Sequence, residues 1–286
     1  MVAAPARTAF VFAGGGSLGA AQVGMLEALL AAGERPDLVV GVSAGAINAA
    51  FFAAEPNRAT VERMAHLWTS FTTRRALGLS WRSLLGLAGL RDHVASPAGL
   101  RGLLEGELGY RALEAARVPL HIVCADLVTG DEVVLSQGAV VEAVLASAAI
   151  PGVFPPVAVG GRVLVDGAIA ANTPIATAVR LGATRLVVLP AGFACALKNP
   201  SGGAIGRAMH AISLLGARQL RQDFEHYGGR VPIHIVPPLC PVEVSSYDYA
   251  HGSSLIGRGR EAARAWLAAG GLELRAFPAP LEMHSH

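Results

Sequence analysis

The chain has 286 residues, 52% of them hydrophobic and 15% charged, against about 25% charged in an average globular protein, which excludes disorder over most of its length. Lys and Arg total 23 against 21 Asp and Glu, a net charge of +2 with no dense basic run, so a dedicated nucleic-acid binder is excluded as a class. The 34 Gly and 17 Pro follow no triplet period, which excludes collagen, and the three cysteines, Cys124, Cys195 and Cys240, are far apart without CxxC spacing, which suits a reduced compartment better than a disulfide framework or structural zinc.

In chain order, residues 9–12 read as a short buried strand that turns through Gly14 to Gly16 into a helix over 18–32, closed by Gly33. Residues 38–42 form a second apolar, β-branched run, followed by a tight turn and an Ala-rich helix to 54. The uncharged runs 8–26 and 38–54 are long enough to suggest membrane spans, but glycines break the first and Ser43, Gly45 and Asn48 interrupt the second, so both read as buried strand then helix. Arg7 precedes an apolar stretch, as in a signal peptide, but the glycine cluster falls where that stretch should be solid. A cytoplasmic protein without a removed leader is the expectation.

Residues 58–117 read as helical but less regular, with Trp68, Phe71 and Trp81 among leucines. Strands are expected at 120–124, 132–135 and 163–165, with a helix at 140–149 stopped by Pro151, and further strands at 186–189 and 233–236. Helices are expected at 205–227 and 254–269. A prior of about 150 residues per domain allows two domains. Strands and helices nevertheless alternate across residues 1–286 without a linker, which predicts one α/β domain with a parallel sheet and helices on its faces.

Gly41-Val42-Ser43-Ala44-Gly45 matches G-x-S-x-G and stands between an expected strand and an expected helix, where a nucleophile elbow belongs. The glycines permit strained backbone and close packing, and the helix that follows points its amides toward an anionic intermediate. Gly14-Gly15-Gly16-Ser17-Leu18-Gly19 admits three readings: a dinucleotide fingerprint, an oxyanion loop near Ser43, or a plain close turn. The first wants an acid at the end of the next strand, and Asp37 lies at its start. A serine nucleophile needs a base. His210, His226, His234 and His251 come late enough to complete a Ser-Asp-His triad, as in an α/β-hydrolase, although this elbow follows only one earlier strand, which is early for that fold. Asp166, placed at the end of an apolar strand and before Gly167-Ala168, is the carboxylate alternative.

Taken together, the chain resembles the patatin-like phospholipase family. Gly14-Gly15-Gly16, the elbow, Ala146-Ser147-Ala148-Ala149-Ile150-Pro151 with Phe154-Pro155-Pro156, and Asp166-Gly167-Ala168 followed by Asn172-Thr173-Pro174 occur in the family's order, in a motif-bearing part over about 8–190. The resemblance implies a three-layer α/β/α sandwich with a mainly parallel sheet and a serine acyl hydrolase acting on acyl esters or phospholipids. It implies Ser43 as nucleophile, Asp166 as base without a histidine, and an oxyanion hole at Gly14, Gly15 and Gly16, with no metal or other cofactor. Ala168 stands where many members have a second glycine, a departure that leaves the dyad intact. The competing class is a nucleotide-binding module built on Gly14–Gly19.

Within the helical cover segment 58–117, Leu77, Trp81, Leu84, Leu85 and Ala88 share a helical face while Arg74, Arg75, Arg82 and Arg91 carry charge. Trp81 and Leu85 are read as substrate-binding positions on a cover beside Ser43; the segment leaves peripheral membrane contact open, and packing on the body of the protein is the plainer reading.

Overall fold

The structure is a computed structural model that describes residues 6–70, 95–192, 195, 204–274 and 276–281. In chain order its elements are β1 (Thr8–Phe12), α1 (Ala20–Ala31), β2 (Leu38–Val42), α2 (Ala44–Ala54), α3 (Arg58–Ser70), α4 (Ala98–Glu107), β3 (Leu120–Asp126), β4 (Glu132–Leu135), α5 (Val140–Ser147), β5 (Val157–Val159), β6 (Arg162–Asp166), α6 (Ala168–Ala171), α7 (Ile175–Arg180), β7 (Arg185–Leu189), α8 (Ala204–Tyr227), β8 (Ile233–Ile235) and α9 (Gly252–Ala268).

The strands form one sheet in the order β5-β6-β3-β2-β1-β7-β8, with β4 also on β3. Every residue of β1 and β2 is buried, as strands covered on both faces must be. Alternation along the strands divides two cores. Phe10, Phe12, Val39, Ile122 and Val187 face α1, α2, α3, α5 and α9. Val11, Val40, Val123 and Val188 face the other way, with Ala171, Ile175 and Leu220 of α6, α7 and α8. The expected three-layer α/β/α sandwich is therefore present. No helix among the described residues is long and apolar enough to cross a membrane, and the two uncharged runs are β1 with α1 and β2 with α2.

The sheet is less uniformly parallel than the alternation predicted. β3, β2, β1, β7 and β8 are parallel neighbours, whereas β4, β5 and β6 pair antiparallel. The cause is connection length. The turn 127–131 is too short for a crossover, so β4 must return along β3 as a hairpin; Asp126 Oδ1 closes it by accepting from the Val128 and Thr129 N–H groups at 2.9 and 3.2 Å. β5 and β6 are joined by Gly160-Gly161 alone, a two-residue hairpin turn. β5, α6 and α7 were not expected from the sequence. Of the cover segment, α3 and α4 are helical as expected, while Trp81 and Leu85 lie outside the described residues.

Candidate active site

The register of β3 positions the site. β4 runs along one edge of β3 from Ile122 to Ala125, so β2 and β6 must share the other edge. β2 occupies it as far as Val42↔Val123, and β6, running the opposite way, begins at Asp166↔Cys124. The C-terminal ends of two strands thus meet head to head on a third. The next residue of β2's chain is Ser43, and the last of β6 is Asp166.

Ser43 Oγ donates to Asp166 Oδ2 at 2.6 Å, and both side chains are buried. Ser43 holds φ 53°, the only positive φ of a non-glycine among the described residues, a conformation that costs about 1–3 kcal/mol and persists where surrounding packing enforces it. Here Gly45 permits the enforcement: a Cβ at this position would run into the Phe12 carbonyl of β1. The Ser43 carbonyl accepts from Ala46 N and Ile47 N at 2.9 and 3.3 Å, starting α2 directly at the elbow.

Asp166 is fixed through both carboxylate oxygens, since Oδ1 accepts from the Ala168 N–H at 2.8 Å. Burial pushes its carboxyl up to about 6, against the opposing pull of the Ser43 hydroxyl and the Ala168 amide. Such a carboxylate is ionised at neutral pH and more basic than one in water, as a proton acceptor for serine requires. Burial pushes the neighbouring Tyr249 phenol up to about 12 and the Tyr247 phenol up as well, so both are neutral protonated groups.

The glycine loop lies across the cleft. Gly14 N–H donates to the Asn172 carbonyl at 3.0 Å, so this amide anchors the loop. The amides of Gly15 and Gly16 have no hydrogen-bond partner among the described residues. Gly16 has φ 57°, and a Cβ there would run into the Ser246 carbonyl, so the position excludes side chains on two counts. The next amide, Ser17 N–H, donates to Ser246 O at 2.8 Å, and Ser17 Oγ donates to Ser245 O at 3.1 Å. A pyrophosphate at this helix start would have to displace those bonds, and Asp37 is occupied at the far end of the strands, accepting from Thr8 N–H at 2.6 Å.

Three of the four candidate histidines make contacts outside the dyad. His251 pairs with Asp248 at 3.3 Å, His234 contacts the Leu274 carbonyl, and His226 stacks edge-on against Tyr227. Among the described residues no hydrogen bond joins any of them, or His210, to Ser43 or Asp166, and the carboxylate that would orient a triad histidine bonds the serine directly.

Two pockets meet at Ser43. One encloses about 710 Å³, part of it open to solvent, and is walled largely by apolar side chains including Ile47, Phe51, Met64, Leu103 and Trp68. The other is lined by Gly15, Gly16, Asp166, Asn172, Ser213 and Ser246 and is more polar. A reacting carbonyl at Ser43 would have an apolar channel on one side and a hydrogen-bonding cleft on the other.

The sequence profile of patatin-like phospholipases matches residues 10–179, the span from the glycine loop through Asp166. This chain belongs to the patatin-like phospholipase family. An uncharacterized NTE family protein of Mycobacterium tuberculosis is 33% identical over 170 residues, covering 57% of this chain and 27% of that protein. A second from the same organism is 32% identical over 170 residues, covering 59% and 45%. Neuropathy target esterase sws of Drosophila melanogaster is 29% identical over 184 residues, covering 64% and 13%. The match therefore spans less than half the length of each of these relatives. Among solved structures, VipD from Legionella pneumophila superposes with a TM-score of 0.48 at 14% identity, covering 92% of this chain and 67% of that one.

In this patatin-like chain, two parts of the site had no assigned role in the motif reading. Ser147, fully buried at the end of α5, accepts from the Ser43 N–H at 2.9 Å and donates to the Val123 carbonyl at 2.6 Å. It pins the elbow to β3. Asn48 donates to Gly19 O and Gln22 Oε1 and accepts from Trp68 Nε1 at 2.8 Å, while Gln22 donates to the Ala13 and Leu189 carbonyls. This network sets the Trp68 ring that walls the apolar pocket. The available signal was two amides inside runs too apolar to face water.

Proposed function

We propose that the chain is a serine acyl hydrolase that cleaves lipid-type acyl esters, phospholipids included, through a Ser43-Asp166 dyad. The observation that carries this reading is the 2.6 Å bond from Ser43 Oγ to a buried carboxylate at a strained elbow. Family membership and the apolar pocket beside Ser43 support a lipidic acyl group.

In the proposed cycle Asp166 takes the Ser43 proton as Oγ attacks the ester carbonyl. The resulting oxyanion accepts from the Gly15 and Gly16 amides, with the start of α2 adding favourable dipole. Collapse breaks the bond to the alcohol, which leaves with the proton from Asp166, and the acyl group remains on Ser43. Water then attacks this ester, giving its proton to Asp166; the second tetrahedral intermediate releases the fatty acid and the proton returns to Ser43. No step requires a metal or organic cofactor.

The test is covalent trapping. A serine-reactive alkyl phosphonate should place its adduct on Ser43 by peptide mass spectrometry, and Ser43→Ala should lose both the adduct and ester turnover while keeping its unfolding midpoint. An adduct on another serine, or retained turnover in Ser43→Ala, would overturn the reading.

A further inference from the structure

Cys195 and Cys240 are 45 positions apart in the sequence, yet their Sγ atoms lie 3.8 Å apart. The topology explains it: β7 and β8 are parallel neighbours, so the chain leaves both at the same edge of the sheet, and each cysteine stands in the loop that follows. The Val242 N–H points at Cys195 Sγ at 3.4 Å; burial and the adjoining Cys195 sulfur push the Cys240 thiol up, against the smaller opposing pull of the Arg258 guanidinium, which bonds the Pro241 carbonyl at 2.5 Å. Both cysteines are half-buried, whereas Cys124 is fully enclosed under α5.

The same two loops frame the glycine loop. Ala191 packs on Gly15 so closely that a Cβ there would run into it, and Gly192 lines the polar cleft. From the other loop, the Ser245 and Ser246 carbonyls hold Ser17, and Ser246 and Tyr247 line the cleft. We propose that Cys195 and Cys240 form a reversible disulfide that fastens the loop after β7 to the loop after β8. The sulfurs need to close to about 2.05 Å, a movement of under about 2 Å. With a low-molecular-weight disulfide as oxidant, one cysteine thiolate attacks a sulfur of the reagent, releasing one reagent thiolate and leaving a mixed disulfide. The second cysteine thiolate then attacks the protein sulfur and expels the second reagent thiol. Two protein thiols are oxidised and one reagent disulfide is reduced to two thiols.

The experiment is incubation of the native full chain with oxidised glutathione, followed by non-reducing tryptic mapping. Trypsin separates the two sites, Cys195 in the peptide ending at Lys198 and Cys240 in the one ending at Arg258. The expected result is one cross-linked pair of these peptides, lighter by two hydrogens and released by dithiothreitol, with Cys124 unmodified. Cys195→Ser and Cys240→Ser should each stop at one glutathione adduct on the remaining partner. Amide exchange over Ser245–Tyr247 should slow several-fold in the oxidised wild-type chain. Glutathione on both cysteines without the cross-link, a cross-link formed only after denaturation, or unchanged exchange over Ser245–Tyr247 would overturn the proposal.

Discussion

At the scale of single residues, the proposed chemistry depends on Asp166 being ionised while Ser43 is held against it. Burial raises the carboxyl to about 6, so the ionised fraction falls as pH drops through that value. Turnover should therefore be lost on the acid side: kcat/KM for a soluble aryl ester at pH 5 should be about tenfold below its plateau above pH 7. A flat profile from pH 5 to 8 would remove Asp166 as the base. Ser147 acts by positioning. Ser147→Ala strips the Ser43 N–H and the Val123 carbonyl of their shared buried partner, a loss of about 1–3 kcal/mol of stability. Its kcat should fall about tenfold with KM little changed, because it disturbs the Ser43 backbone rather than the pockets; urea unfolding and ester kinetics check the two parts. The sequence showed Ser147 within a motif but not its work, since its partners lie 104 and 24 positions away.

At the scale of elements, β1 and β2 were legible because strands buried on both faces leave continuous apolar runs, and the elbow because its glycines answer to steric demands between neighbouring elements. Gly45→Ala should test that directly. The added methyl meets the Phe12 carbonyl and should destabilise the chain by about 1–3 kcal/mol, read as a lower urea midpoint with an unchanged slope. β5 escaped notice for the opposite reason: Val157–Val159 is short, partly exposed and at the sheet edge, so it carries little apolar signal. Strand direction was hidden as well. Apolar content does not distinguish β6 running against β3 from β6 running with it, and only the short 127–131 and 160–161 connections reveal the antiparallel corner.

At the scale of the whole molecule, the meeting of β2 and β6 on one edge of β3 turns residues separated by 123 positions into neighbours, a juxtaposition that no local pattern encodes and that became an expectation only through the order of motifs in a known family. It also sets Ser43 between two unlike pockets. Leu103→Trp adds bulk to the wall of the apolar pocket and should cut turnover of a long-chain ester at least about tenfold while costing a short ester no more than about twofold; equal losses would show that the pocket does not hold the acyl chain. The central claim is that a carboxylate serves Ser43 without a histidine. The most direct measurement is ester turnover by Asp166→Asn, which keeps the shape of the side chain, beside single alanine variants of His210, His226, His234 and His251, all with unfolding midpoints recorded. Asp166→Asn is expected to lose at least about a hundredfold while each histidine variant stays near wild type, and a folded Asp166→Asn that keeps its turnover, or a folded histidine variant that loses as much, would contradict the dyad.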